Sequence, residues 1–414
     1  MKNKFLKMRL YNILIISILF CGCSFDNKTG IWKNEIDTSK KETSYLKDFQ
    51  TLSSSSEKFN EILNIKENFK FDLSDEVKND EWKDIYYDKT NNSKNFYYQD
   101  SNQIQFKSKK ISKYKTGKYI LFEDENIIIS DQIGNIIVYS LNENKIIFKY
   151  NFYKKRFKNI VKKLNIILDE NKIYVSDNIG YLYSLNYKQG KLIWAKNYKI
   201  PFRSNLKLNK NQLIAANQNN DLFFYNIQNG EIMRKIPTEQ TILKNEFINN
   251  LALNNTALFF LNTYGSLYSI DLKSMQIKWF LNLNKSIDIN PSNLFNGSEV
   301  VIFENKIIVS SNEFLEIIDI NTGLNLFKKN FVPLLRPIIV DNYLFLVTKN
   351  NLLISVDLIK NEIIYSYNIN KKISDYLEIK QKNINVRNIL ILNKKIFIFL
   401  ENSFLLKFNV NGTL

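Results

Sequence analysis

Cys21 and Cys23 are the only cysteines in the chain, and it contains no histidine at all. That pair of facts removes most familiar chemistry. A Ser-His-Asp triad, a Cys-His pair, a zinc site of His or Cys ligands and a His-ligated haem are all excluded. Catalysis would have to rest on carboxylates, Lys, Tyr or a bound cofactor. The carboxylates, however, form no Asp/Glu cluster at metal-loop spacing. The reading is that the chain is not an enzyme, with no catalytic residues, no cofactor and no metal.

The two cysteines sit where a different chemistry is expected. Lys2, Lys4, Lys7 and Arg9 form a basic start, and Tyr11–Phe20 (YNILIISILF) is apolar. That run is too short to span a bilayer comfortably and has the layout of a cleaved export signal, residues 1–22. Phe20-Cys21-Gly22-Cys23-Ser24 resembles a bacterial lipobox. Gly22 and Cys23 match it, while Phe20 stands where Leu is usual and Cys21 where a small residue is common. Cys21 is the poorer acceptor, because bulky Phe20 would fill the small-residue position. The resemblance implies lipidation at Cys23, and Ser24 rather than Asp after it implies sorting to the outer membrane, on the periplasmic face. Two or three acyl chains, at about 0.8 kcal/mol per buried CH₂, anchor a soluble domain stably. Processing would remove Cys21 and acylate Cys23, leaving no disulfide. The competing reading is an ordinary secretory peptide with incidental cysteines.

The formal charge is +17 over 414 residues. A basic balance of this size suits an anionic partner. It also follows from an AT-rich genome, whose codons favour Lys, Asn and Ile. Lys and Asn are scattered over nearly every turn rather than clustered, and no RNP-like, helix-turn-helix or zinc-finger pattern is present, so nucleic acid is not expected as a partner.

From Ser24 to about Ser112 the composition changes to polar and mixed. Thr51–Ser56 (TLSSSS) is flexible, and Phe59–Glu67 and Leu73–Trp82 alternate charges with sparse apolar residues. Residues 23–94 are expected to be a lipidated tether, partly disordered or carrying short helices. Asn95–Ser108 (NFYYQDSNQIQFKS) is strand-like.

From residue 95 onwards one pattern repeats: apolar run, polar turn, apolar run, polar turn, third strand. Ile173–Trp194, Leu258–Trp279 and Ile307–Phe327 are copies. Seven units begin near Ile127, Ile173, Leu213, Ala257, Ile307, Tyr343 and Ile396. First turns such as Asp131–Gly134 and Asp177–Gly180 are rich in Asp, Asn and Gly, which tolerate positive φ, so they predict hairpins. Second turns follow Asp/Asn-x-x-x-Gly, as in Asn186–Lys191 and Asp319–Gly323. An upstream strand opens each unit, for example Tyr119–Phe122 and Arg336–Val340, giving four strands per blade. The fold class is all-β: a β-propeller of four-stranded antiparallel blades over residues 95–414. Trp194 and Trp279 close two units, where Phe148, Phe327 and Tyr365 close others. These rings are expected to wedge between blades, burying about 150–250 Å² each.

Gly180-Tyr181-Leu182-Tyr183-Ser184-Leu185 through Gly190-Lys191-Leu192-Ile193-Trp194 is similar to the repeat of pyrroloquinoline-quinone-type propellers. With the lipobox, the chain resembles the BamB-type lipoproteins of the outer-membrane β-barrel assembly machinery. The resemblance covers about residues 95–414. It implies eight blades, whereas seven units are recognisable. The sequence stops at Asn411–Leu414, before an outer strand of the last unit, and the strand near Asn95–Ser108 is expected to complete that blade and close the ring.

The resemblance further implies a non-catalytic scaffold that binds the barrel-forming subunit BamA through its periplasmic domains and helps present unfolded outer-membrane proteins. The matching contact loops are roughly Thr241–Lys244 and Ile287–Asn290. Ile242 and Leu243 would be exposed anchors, Lys244 would replace the family's Arg, and Asp288 would pair with a basic group, with Asn290 where acid is usual. In the bland alternative, Ile242 and Leu243 simply begin a strand. Two other functions fit the repeat: a quinone-dependent dehydrogenase, and a propeller binding cell-wall glycan or another envelope protein.

Overall fold

Local turn chemistry builds the hairpins. Asp177 Oδ1 accepts from the N–H groups of Ile179, Gly180 and Tyr181, each at 2.8 Å. Asp131, Asn217 and Asn262 do the same for the first turns of their units. Asp319 Oδ1 likewise accepts from Asn321 and Thr322 in a second turn, and Gly323 follows at φ 74°. An accepting side chain in the loop satisfies amides that the ladder cannot reach.

The computed structural model describes residues 58–99, 101, 106–153, 157–240, 244, 246–284, 294–378, 380 and 383–414, with the backbone of Ser24–Phe25 and Trp32–Lys33. The chain divides into two units, Met1–Ser56 and Glu57–Leu414. In the first, Ser24–Phe25 pairs antiparallel with Trp32–Lys33. Cys23 lies outside the described residues.

The second unit holds seven sheets. Six are four-stranded antiparallel meanders running from an inner to an outer strand. Blade 1 is Leu121–Glu123, Asn126–Ser130, Asn135–Ser140 and Lys145–Asn151; blade 2 is Leu164–Asp169, Lys172–Asp177, Tyr181–Asn186 and Lys191–Asn197. Blade 3 is Lys207–Asn209, Gln212–Ala216, Leu222–Asn226 and Ile232–Ile236; blade 4 is Asn250–Leu253, Ala257–Leu261, Ser266–Asp271 and Ile277–Asn282. Blade 5 is Val301–Phe303, Lys306–Ser310, Leu315–Asp319 and Asn325–Lys329; blade 6 is Ile338–Val340, Tyr343–Val347, Leu352–Asp357 and Glu362–Asn368. The middle strands are buried on both faces, as in Gln212–Ala216, because each blade is sandwiched between two others. A helix, α1 (Ile369–Leu377), links blades 6 and 7 and is capped by Asn368, which accepts from Lys371.

Blade 7 departs from the expected arrangement. Val386–Leu392, Lys395–Leu400 and Leu405–Asn409 form its meander. Among the described residues the early segment does join this blade as Asn95–Phe96, but not on the outer side. It pairs in parallel with the inner strand, Asn95 opposite Ile391 and Phe96 opposite Leu392. The reason is the path of the chain, which reaches blade 7 from the central channel.

The expected tether is also corrected over the described residues 58–94. They form neither helix nor free linker: the first part runs over the blades, and from Trp82 on the chain passes along the inner strands through tight turns. Phe59 N–H donates to Asn330 O, Leu63 bridges Ser366, and Phe71 packs on Tyr343, Phe345 and Tyr365. The sparse apolar residues are spaced for seats on the propeller rather than for a helix face.

The aromatic wedges are present and have a specific seat. Trp194 donates from Nε1 to Ile227 O of the following blade at 3.0 Å, and a Cβ on Gly230 would lie 2.6 Å from its ring. Trp279 sits the same way against Ile320 and Gly323, and Tyr367 against Gly412. Glycine in the second turn therefore serves the ring of the preceding blade as well as the turn. Six apolar clusters join successive blades from 1–2 to 6–7.

Candidate functional site

The channel of the propeller is occupied by the protein's own chain. Residues 82–96 visit the inner strands of all seven blades in order. Trp82 exchanges backbone hydrogen bonds with Phe122 of blade 1, at 2.7 and 2.9 Å, and Lys83 O accepts from Leu168 of blade 2. Asp84 meets Lys207 of blade 3. Lys89 O accepts from Leu253 of blade 4 and Thr90 O from Ile302 of blade 5. Asn92 makes a two-way bond with the Ile339 backbone of blade 6, and Asn95–Phe96 completes the circuit on blade 7. The segment also links blade 7 to blade 1, since the Trp82 ring lies 6.0 Å from that of Phe96.

Polar side chains fix this circuit where burial makes them matter most. Lys207 is fully buried, with Nζ 2.6 Å from Asp84 Oδ2 and 2.8 Å from Asp88 O. Burial lowers the Lys207 pKa and raises that of Asp84, each opposed by the partner's charge. Asn91, also fully buried, takes a left-handed φ of 62° and donates to Leu251 O and Val300 O. Arg336 Nη1 donates to Tyr86 O at 2.7 Å.

The segment separates two cavities. One, of about 420 Å³, has Trp82 and Tyr86 beneath it and opens among the residues that precede the inner strands. The other, of about 580 Å³, opens at the far ends of those strands, around Asp88, Asn92 and Asn254. Among the described residues no three His, Cys, Asp or Glu side chains converge as a metal set. Asp84, Lys207 and Asn91 fill the middle of the channel, so a planar group lying across the axis at their level would have to displace them.

Of the loop residues expected to touch a partner, Lys244 is described. It is exposed, and desolvation together with the charge of Arg203 lowers its pKa. Ile242, Leu243, Asp288 and Asn290 lie outside the described residues. The described parts of the first loop are anchored on blade 4. Glu239 accepts from Asn262 at 3.1 Å, from Ser266 at 3.2 Å and from Tyr268. Burial opposes the Glu239 charge, but these donors outweigh it and lower its pKa overall.

Asp84, Lys207, Asn91 and Arg336 did not stand out in the sequence. Lys207 carried one signal: a lysine between Leu206 and Leu208, where the other inner strands are apolar.

The architecture defines a class: a β-propeller of quinone-type repeats, here with a filled channel. More narrowly, the chain belongs to the family described as outer membrane protein assembly factor BamB, which matches residues 134–367. The crystal structure of BamB from Moraxella catarrhalis superposes with a TM-score of 0.58 at 12% identity, covering 71% of this chain and 85% of that one. Quinohemoprotein alcohol dehydrogenase from Comamonas testosteroni gives 0.56 at 11% identity, covering 78% and 70%. The computationally designed Ika8 protein gives 0.53 at 9%, covering 70% and 83%. At these identities the likeness is one of fold. No curated protein sequence matches the chain.

Proposed function

We propose that this protein is a non-catalytic scaffold lipoprotein of the outer-membrane β-barrel assembly machinery. It is held at the periplasmic face of the outer membrane by acyl chains on Cys23. It binds a BamA-like barrel-forming subunit through the loops that carry Ile242, Leu243, Lys244, Asp288 and Asn290, and so aids assembly of β-barrel proteins. Family membership over residues 134–367 carries this reading. The fold suits it, because the loops of such a scaffold are its usual working surfaces.

Crosslinking in intact cells followed by purification of the lipidated protein from outer membranes tests it. Recovery of the barrel-forming subunit, lost on Leu243→Glu and retained on a distant surface change, is expected. Absence of that subunit from the crosslinked material would sink the proposal.

A further inference from the structure

The cavity of about 420 Å³ at one mouth of the channel has a composition that the scaffold reading does not use. Three cations line it: Lys118 ahead of blade 1, Arg336 of blade 6 and Arg387 of blade 7. One carboxylate, Glu299, opposes them. The opposite mouth has the reverse sign, with Asp75, Asp88, Glu304 and Asp341 against Lys94.

Two of the cations are placed by specific features. Arg336 is held by its bond to Tyr86 O, and its guanidinium lies 5.1 Å over the Tyr86 ring. Arg387 is set by an irregularity. The inner strand of blade 7 shifts register between Val386 and Asn388, so Arg387 has no opposite residue on Lys395–Leu400. The inner strands of the other six blades pair without a shift. A bulge bends the strand and re-aims the extra side chain. Arg387 is exposed and lines the cavity.

Apart from Asn388, the rest of the wall is apolar and aromatic. Ile120 is 61% exposed there, Leu335 and Leu390 flank it, and Tyr119 stands edge-on to Tyr86. A small free anion would use the guanidinium groups and leave these walls unused. A flat membrane would not enter a concave mouth. A peptide can offer both a carboxylate and an apolar side chain. Arginine's planar fork matches a carboxylate in two parallel hydrogen bonds, and partial enclosure strengthens the attraction.

The geometry points to a docking site at this mouth for an acidic peptide segment, with a carboxylate received by Arg387 and Arg336 and a neighbouring apolar side chain seated on Ile120 and Leu335. Lys118 adds attraction at the rim. The site stands whether or not the scaffold role holds.

Titration of the full chain in detergent with a capped Leu-Glu alternating peptide, followed by calorimetry and by Trp82 fluorescence, tests the site. The Glu peptide is expected to bind, and the matching Leu-Gln peptide to fail. Arg387→Glu should weaken binding by about tenfold or more, because it removes a charge-assisted pair and adds repulsion. Arg387→Lys should retain part of it, and Lys273→Glu, in a second turn at the opposite end of the blades, should change nothing. Unchanged affinity in Arg387→Glu would overturn the proposal. So would inorganic phosphate competing fully at equal affinity, or anionic vesicles binding with the same dependence on Arg387 while the peptide does not.

Discussion

The ion pair in the channel gives the sharpest quantitative test. Lys207→Met leaves Asp84 buried, with only the Tyr86 N–H at 2.9 Å to stabilise its charge. Asp84→Asn leaves the fully buried Lys207 ammonium with an uncharged side chain and Asp88 O. Removing one partner of a buried pair costs about 3–5 kcal/mol, because the other charge stays desolvated. Both pKa directions say that burial already outweighs attraction for this pair. The double variant, Asp84→Asn with Lys207→Met, removes both charges and keeps an acceptor for Tyr86. It should therefore lie between neutral and about 4 kcal/mol more stable than the native chain. The single costs would sum to about 6–10 kcal/mol if independent, so the cycle predicts a coupling of at least several kcal/mol. Urea unfolding of the four proteins, followed by tryptophan fluorescence, measures it. The pH dependence supplies a second reading. In Lys207→Met the Asp84 pKa remains raised by burial, so the folded state binds a proton more readily than the unfolded one. Stability of that variant should therefore rise as pH falls from about 7 toward the ordinary carboxylate range. Additive single costs in the double variant would refute the account of the pair.

Two further outcomes follow from the blades. Gly230→Ala and Gly190→Ala place Cβ at similar left-handed φ values, 72° and 67°, but the first would meet the Trp194 ring at 2.6 Å and the second meets nothing within 4 Å. Thermal denaturation should show about 1–2 kcal/mol lost in Gly190→Ala and about 1–3 kcal/mol more in Gly230→Ala. Equal losses would remove the wedge from the argument. Tyr198, whose hydroxyl donates to Gly230 O, is pushed up to about 12 by burial and then by Glu231. Its folded value lies above the unfolded one, so its contribution is whole below the ordinary tyrosine value and lost as pH rises toward about 12. Tyr198→Phe should flatten that part of the alkaline stability profile measured by denaturant unfolding, and an unchanged profile would contradict the assignment.

Blade positions were legible because the information is local. Asp177, Asn262 and Asp319 each organise amides within four residues of themselves, so turn chemistry is written next to the turn it makes. The start of every unit, from Ile127 to Ile396, falls in the second strand of its blade for the same reason. Trp194 and Trp279 announced themselves as wedges by size and position. Their glycine seats did not, because each lies in the next repeat.

The residues from Phe59 to Phe96 gave the opposite result. Most of their backbone partners are the inner and outer edges of several different blades, from Phe122 beside Trp82 to Ser366 beside Leu63, so they carry no period of their own. A sequence with sparse apolar residues and mixed charge reads as a linker when its partners are distant. Only the assembled ring shows that Asp84, Asn91 and Asn92 face buried strands rather than water. By itself the sequence determined a propeller without histidine chemistry, because hairpins and composition are properties of the chain. Tertiary structure decided what fills the channel and how blade 7 is joined to blade 1, because both depend on which strand edges are left unpaired once the blades have packed.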